Sequence, residues 1–375
     1  MASSRGTSLA TILIITLCSA TISVLFSVEV SHRNVSFTSL TNCICSEQIS
    51  RKPTAQSAIR EQRHAEAGQV TVTQEDPVSL PRNTAPSHES VAAAIQPSRK
   101  RHMRNMCQKT LPVHQRERLR VSSETLKHLY VNDEHKIIYC SVPKAGCTNW
   151  KRILLALENS SLSVPDISRD AAHHNHLRTL YDYSESQRSQ MLKQYTKFIF
   201  TRDPFVRLLS AYKDKFQKIR NLACERHSSY FKKMAGKIMS QYRSDVPLST
   251  LEAGEGVTWL EFVRHIIDTP DRLKMNEHWQ SAHTLCAPCN IDYNYIGKLE
   301  TVHEDSSRLF KKLFNDSQRF YYPKFAEPTV RSSAEFNSAF GEITIKQLQQ
   351  LWSIYEIDFL LFNYTRPDFM KSSVT

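Results

Sequence analysis

Aromatic side chains, the bulkiest material from which a core can be built, are confined almost wholly to one part of this chain. Between Phe37 and Tyr130 there is no Phe, Tyr or Trp, and the 246 residues from Tyr130 onward carry 33 of the 35. A segment without core material and rich in Ser, Thr, Gln, Pro and charge buries too little apolar surface to offset the entropy of ordering it. Residues 29–105 therefore read as a flexible stem, and the folded domain is expected over residues 106–375. Ahead of the stem, Leu9 to Val28 is a run of 20 residues without a charge, about the length that crosses a bilayer. Residues 9–28 read as a transmembrane signal-anchor behind a short cytoplasmic tail, residues 1–8, although Ser19 and Ala20 also suit a signal-peptide cleavage site. Both readings put the bulk of the chain in the secretory lumen, and sequons at Asn34, Asn159, Asn315 and Asn363 agree with it.

Charge points to a partner. The formal net charge is +12, which favours a polyanion, and a luminal position argues against nucleic acid as that polyanion. Residues 217–256 hold much of the excess, with Lys218, Arg220, Arg226, Lys232, Lys233, Lys237 and Arg243; they suit an acidic polysaccharide as well as a plain solvated surface. Of nine cysteines, Cys18 lies in the apolar run, and the pairing of the other eight is open. Cys286-Ala-Pro-Cys289 has the spacing of half a zinc site, but no second such pair accompanies it. A structural disulfide is the expectation there, and no metal is expected.

Two stretches have the same local logic, an apolar strand running into a polar turn that opens a helix. In the first, Ile137, Ile138, Tyr139 and Val142 lead through Pro143-Lys144-Ala145-Gly146-Cys147-Thr148-Asn149 to Trp150, Ile153, Leu154 and Leu157 at helical spacing. Backbone amides at such a junction and the positive end of the helix dipole make an anion site, to which Lys144 adds a charge and Thr148 a hydroxyl. The glycine spacing and the early lysine are not those of a Walker loop. In the second, strand Lys197 to Thr201 is followed by Arg202-Asp203-Pro204-Phe205-Val206-Arg207-Leu208-Leu209-Ser210. Asp203 fits a helix N-cap with Pro204 at the first helical position. Phe205, Leu208, Leu209, Tyr212, Phe216 and Ile219 form the inward stripe, with Arg207, Ser210 and Asp214 on the opposite face. Arg202 and Ser210 then suit one phosphate. Strands alternating with helices imply an α/β fold with a parallel sheet, and both turns fall at the carboxyl ends of strands, where ligands of such sheets bind.

These residues resemble a known family. Pro143 to Arg152 is similar to the 5′-phosphosulfate loop of Golgi carbohydrate sulfotransferases, in the branch of the HNK-1, chondroitin 4-O and dermatan 4-O enzymes. Arg202 to Ser210 resembles that family's 3′-phosphate site. Asn276-Glu277-His278-Trp279, Leu285-Cys286-Ala287-Pro288-Cys289 and Ile296-Gly297-Lys298-Leu299-Glu300-Thr301 resemble its C-terminal signature. The likeness covers about residues 106 to 365. It implies a P-loop-like sulfotransferase fold and a 3′-phosphoadenylyl sulfate donor. It also implies a glycan acceptor, such as the 4-hydroxyl of N-acetylgalactosamine in chondroitin or dermatan, and a type II Golgi membrane enzyme. On this reading residues 143–149 and 202–210 bind the donor, Lys144 meets the leaving 5′-phosphate, and a histidine accepts the acceptor proton. His173 and His174 are the first candidates for that base, with His176 beside them and His278 behind. The whole reading requires Lys144 and Arg202 to meet on one side of the molecule.

Overall fold

A computed structural model describes residues 17–18, 21–22, 88–110, 121–174, 176–217, 225–314, 320–324 and 333–370. The chain divides into two units at Ile59 and Arg60. In the first, Leu17–Cys18 pairs antiparallel with Thr21–Ile22, and the rest of the expected anchor lies outside the described residues. No helix among the described residues is long and apolar enough to cross a membrane.

The second unit is built on a sheet of four strands in sequence order: β1 (Leu129–Asn132), β2 (Ile137–Cys140), β3 (Thr196–Thr201) and β4 (Tyr295–Lys298). β2, β3 and β4 run parallel, with Cys140 opposite Ile199 and Thr201 opposite Lys298. β1 is an antiparallel edge strand, so the expected parallel sheet holds for three strands of four. Helices α1 (His88–Thr110), α2 (Cys147–Glu158), α3 (Arg169–His173), α4 (Pro204–Tyr212), α5 (Trp259–Asp268), α6 (Val302–Phe314) and α7 (Ile345–Leu361) bear on the site.

Side chains alternate across the sheet with period two. Ile137, Tyr139, Phe198, Phe200 and Tyr295 meet α2 and α6 on one face, while Ile138, Cys140, Ile199 and Ile296 meet the α1 side on the other. Trp150 anchors α2, its ring centroid 4.4 Å from Phe200 and 4.9 Å from Phe198. A third cluster joins α4, α5 and α7 through Phe205, Leu208, Leu209, Phe262, Leu351 and Tyr355. Capping boxes at Thr258 with Glu261 and Thr344 with Gln347 close the starts of α5 and α7, and the expected Asp203 cap is present, its Oδ1 accepting from the amides of Phe205 and Val206 at 3.0 Å.

The stem does not run to residue 105. α1 begins at His88 and is docked by polar anchors and a disulfide rather than by aromatic packing, which is why composition missed it. The Gln96 side-chain amide donates to the Ile296 carbonyl and accepts from its N–H, both at 3.0 Å. It thereby does for edge strand β4 what another strand would do. Arg99 donates to the fully buried Asp305 and to the Ile296 carbonyl, each at 2.8 Å. Cys107 is bonded to Cys289 and Cys140 to Cys286. Both cysteines of the CxxC pair are therefore in disulfides, with different partners. Arg99→Ala should lower unfolding free energy by about 1.5–3 kcal/mol, because it strips a charge-assisted donor from a buried carboxylate; a urea titration of the variant reads this directly.

Candidate active site

All three parallel strands deliver their motifs to the same carboxyl edge of the sheet. β2 ends at Cys140, and the chain turns through Pro143 to Gly146 into α2. Two consecutive demands shape that turn: Lys144 sits at φ +67° and Gly146 at φ +80°. The left-handed region costs a side-chain-bearing residue about 1–2 kcal/mol, so Lys144 is held there by its surroundings. No side chain caps α2, which leaves its first-turn amides suited to an anion.

The second stretch fastens the first. Arg202, only 7% exposed, donates to the Lys144 carbonyl at 3.2 Å. Arg207 donates to the Pro143 carbonyl at 2.9 Å and, through its other end, to the Glu277 carbonyl at 3.1 Å. The Glu300 carboxylate accepts from the Asp203 amide at 2.9 Å and from the Tyr364 hydroxyl at 3.1 Å. Arg202 thus lies against the backbone of the Lys144 loop, and the Asn-Glu-His-Trp and Ile-Gly-Lys-Leu-Glu-Thr segments reach the same junction through the Glu277 carbonyl and the Glu300 carboxylate.

The expected site residues divide. Lys144 extends its ammonium to Asp214 at 3.1 Å. The Thr148 hydroxyl lies 3.1 Å from His173 Nε2. Asn149 is buried and turned toward Arg152, 2.9 Å away. Cys147 is a half-exposed free thiol, and Pro143 and Ala145 are buried in the turn. Ser210 is 6% exposed. Phe205, Leu208 and Leu209 belong to the core, Pro204 is buried beside them and Val206 is half-buried, so these residues carry the helix rather than offer side chains to a ligand. Arg207 is not on an outward face: it is 2% exposed and its bonds go to backbone carbonyls. Of the clustered histidines, His173 is the one set against the loop; His174 pairs with Asp170 at 2.9 Å and His176 with Glu158 at 3.4 Å, both exposed.

The match with known proteins covers this whole assembly. The model of the Sulfotransferase family matches residues 127–365. The chain belongs to the sulfotransferase family. Carbohydrate sulfotransferase 11 of Rattus norvegicus is 38% identical over 261 residues, 68% of this chain and 72% of the relative. Carbohydrate sulfotransferase 8 of Homo sapiens is 34% identical over 281 residues, 72% of this chain and 63% of the relative. Carbohydrate sulfotransferase 12 of Mus musculus is 37% identical over 265 residues, 65% and 61%. No solved structure gave a significant match.

Sequence reasoning passed over Tyr322 and His128 of this sulfotransferase. Tyr322 donates to the Gly146 carbonyl at 3.2 Å, from a segment with no motif. His128 stands between the Ser141 carbonyl, 3.1 Å from Nδ1, and the Glu277 carboxylate, 3.6 Å from Nε2. Burial pushes its pKa down, with Glu277 opposing. His278 is held by Asn276 at 2.7 Å, within a turn that Asn276 also caps. Tyr322 and His128 carry no signal in one sequence, because Gly146 and Glu277 lie far along the chain, whereas His278 stands in a motif the sequence did single out.

Proposed function

We propose that this sulfotransferase moves the sulfuryl group of 3′-phosphoadenylyl sulfate to a glycan hydroxyl in the Golgi lumen, most plainly the 4-hydroxyl of N-acetylgalactosamine in chondroitin or dermatan. The observation that carries the reading is the 3.2 Å bond from Arg202 to the Lys144 carbonyl. It ties the two anion-suited junctions together, which supports their serving the two phosphates of one nucleotide. The naming of the relatives as carbohydrate sulfotransferases supports a glycan acceptor, and the +12 net charge supports an acidic one. The uncharged run at residues 9–28 serves as the anchor of a type II membrane protein, with residues 29–375 luminal. Asn159 and Asn363, two of the four sequons, are exposed there.

In this scheme the loop amides with Thr148 receive the 5′-phosphosulfate, and Arg202 with Ser210 receives the 3′-phosphate. His173 takes the proton of the acceptor hydroxyl as its oxygen bonds to sulfur. The bond from sulfur to the bridging oxygen breaks at the same time, and Lys144 meets the charge left on that oxygen. The role of His173 rests on its contact with Thr148, which brings an imidazole to the mouth of the loop.

The test is transfer of radiolabelled sulfate to a panel of desulfated chondroitin, desulfated dermatan and glycans ending in N-acetylgalactosamine or glucuronic acid. Disaccharide analysis then identifies the position modified. Lys144→Ala and Arg202→Ala should each lower kcat/KM by about 10²-fold, the first by removing a group that meets transition-state charge and the second by removing a charge-assisted bond that holds and orients the donor. Transfer only to the terminal sugars would replace the proposed acceptor, and undiminished transfer by both variants would overturn the site.

A further inference from the structure

Asp214 lies on Lys213–Gln217, a single wide turn of π-helical form that follows α4, the kind of helix irregularity that recurs at functional sites. Its carboxylate is met by three cations from three places. Lys144 of the loop is 3.1 Å away, Arg169 of α3 is 3.2 Å away and the neighbouring Lys215 is 3.3 Å away. Burial alone would push the carboxyl pKa up, but the three cations outweigh it and hold the group well below the usual carboxylate range.

The three cations are not equivalent. Lys215 is nearly enclosed, and its ammonium stands 4.7 Å from the centroid of the Phe231 ring, so it cannot leave. Arg169 is more than half exposed and is held weakly. Lys144 sits at the start of the loop and is the one of the three with a second task. A buried carboxylate with one cation cannot give that cation up without exposing an uncompensated charge. Asp214 can, because Lys215 and Arg169 stay behind.

We infer that Asp214 is a positioning residue for transfer, an internal counter-ion that keeps Lys144 at the mouth of the loop and yields it to the 5′-phosphate of the donor. The inference rests on the reading of Lys144 as a ligand of that phosphate. Donor binding is then an exchange of one anion for another on the same ammonium, and product release is the reverse exchange, with the carboxylate reclaiming the lysine.

The test uses the purified full chain and adenosine 3′,5′-bisphosphate, the donor without its sulfuryl group, with binding measured by calorimetry and transfer measured in parallel. Asp214→Asn should bind the bisphosphate about tenfold more tightly, with kcat lowered because the product leaves slowly. In a Lys144→Ala background the same substitution should change binding by less than about twofold, since the exchange needs the lysine. Tightening of equal size in that background would reduce Asp214 to a general negative charge and overturn the inference, as would no tightening at all. Should Asp214→Asn fail to fold, Arg169→Gln decides. It leaves Asp214 more dependent on Lys144, so binding should weaken several-fold in the unaltered background and stay the same beside Lys144→Ala; the opposite pattern overturns the proposal. If the unaltered chain does not bind the bisphosphate, the donor reading itself fails, a result distinct from normal binding that ignores Asp214.

Discussion

Gly146→Ala lowers kcat/KM for sulfuryl transfer by about 10³-fold, more than the loss of any one donor-binding side chain, because it displaces the whole loop. Two independent constraints meet at this residue. Its φ of +80° is open to glycine and strained for alanine. A Cβ there would lie 2.1 Å from the Tyr322 hydroxyl, closer than atoms can pack, and a tight 3.0 Å from Leu299 Cδ1, so the loop or Tyr322 must move. Movement of Tyr322 breaks its bond to the Gly146 carbonyl, and movement of the loop shifts Lys144 and the first amides of α2 together. Displacement of about 1 Å at reacting groups is enough for a 10²-fold loss, and the strained backbone adds to it. The measurement is kcat/KM beside a thermal melt, repeated in Gly146→Ala/Tyr322→Ala. Removing the tyrosine relieves the collision but not the backbone strain, so the pair should regain part of the activity. A single variant with activity near the unaltered chain would mean that the turn is not held as described.

What could be read from the sequence was whatever is local. The Asp203 cap, Pro204 behind it and the helices after both turns depend on neighbours a few residues apart, and all are present. The convergence of the two turns followed from the parallel order of β2 and β3. Arg207 was misread because helical periodicity identifies the stripe that faces the main core and says nothing about a second surface laid over the other side. Here the loop and the Asn-Glu-His-Trp turn form that second surface, so both faces of α4 are covered. α1 was missed for the converse reason. It lacks an aromatic stripe and is fixed by Gln96, Arg99 and Cys107, whose partners Ile296, Asp305 and Cys289 lie far along the chain. Disulfide pairing was open for the same reason. Cys147, the one free thiol among the described residues, is in no way marked out by its spacing.

Arg207→Met is expected to lower unfolding free energy by about 2–5 kcal/mol, the cost of leaving two buried carbonyls without a donor, and to abolish donor binding. The guanidinium is buried, and burial pushes its pKa down with Asp358 opposing, yet an arginine stays charged. Its two ends answer two backbone carbonyls, Pro143 before the loop and Glu277 in the signature turn. Methionine fills much of the volume and leaves both carbonyls without a donor. Arg207→Lys should do little better, because one ammonium on a flexible stem cannot span both positions. The melting temperature should fall by roughly 10 °C for a domain of this size, and binding of adenosine 3′,5′-bisphosphate should be lost even at temperatures where the variant is folded. That second result separates a brace for the loop from a residue that merely stabilises: a variant that is destabilised but binds the nucleotide normally when folded would show that Pro143 and Glu277 keep their places without the bridge.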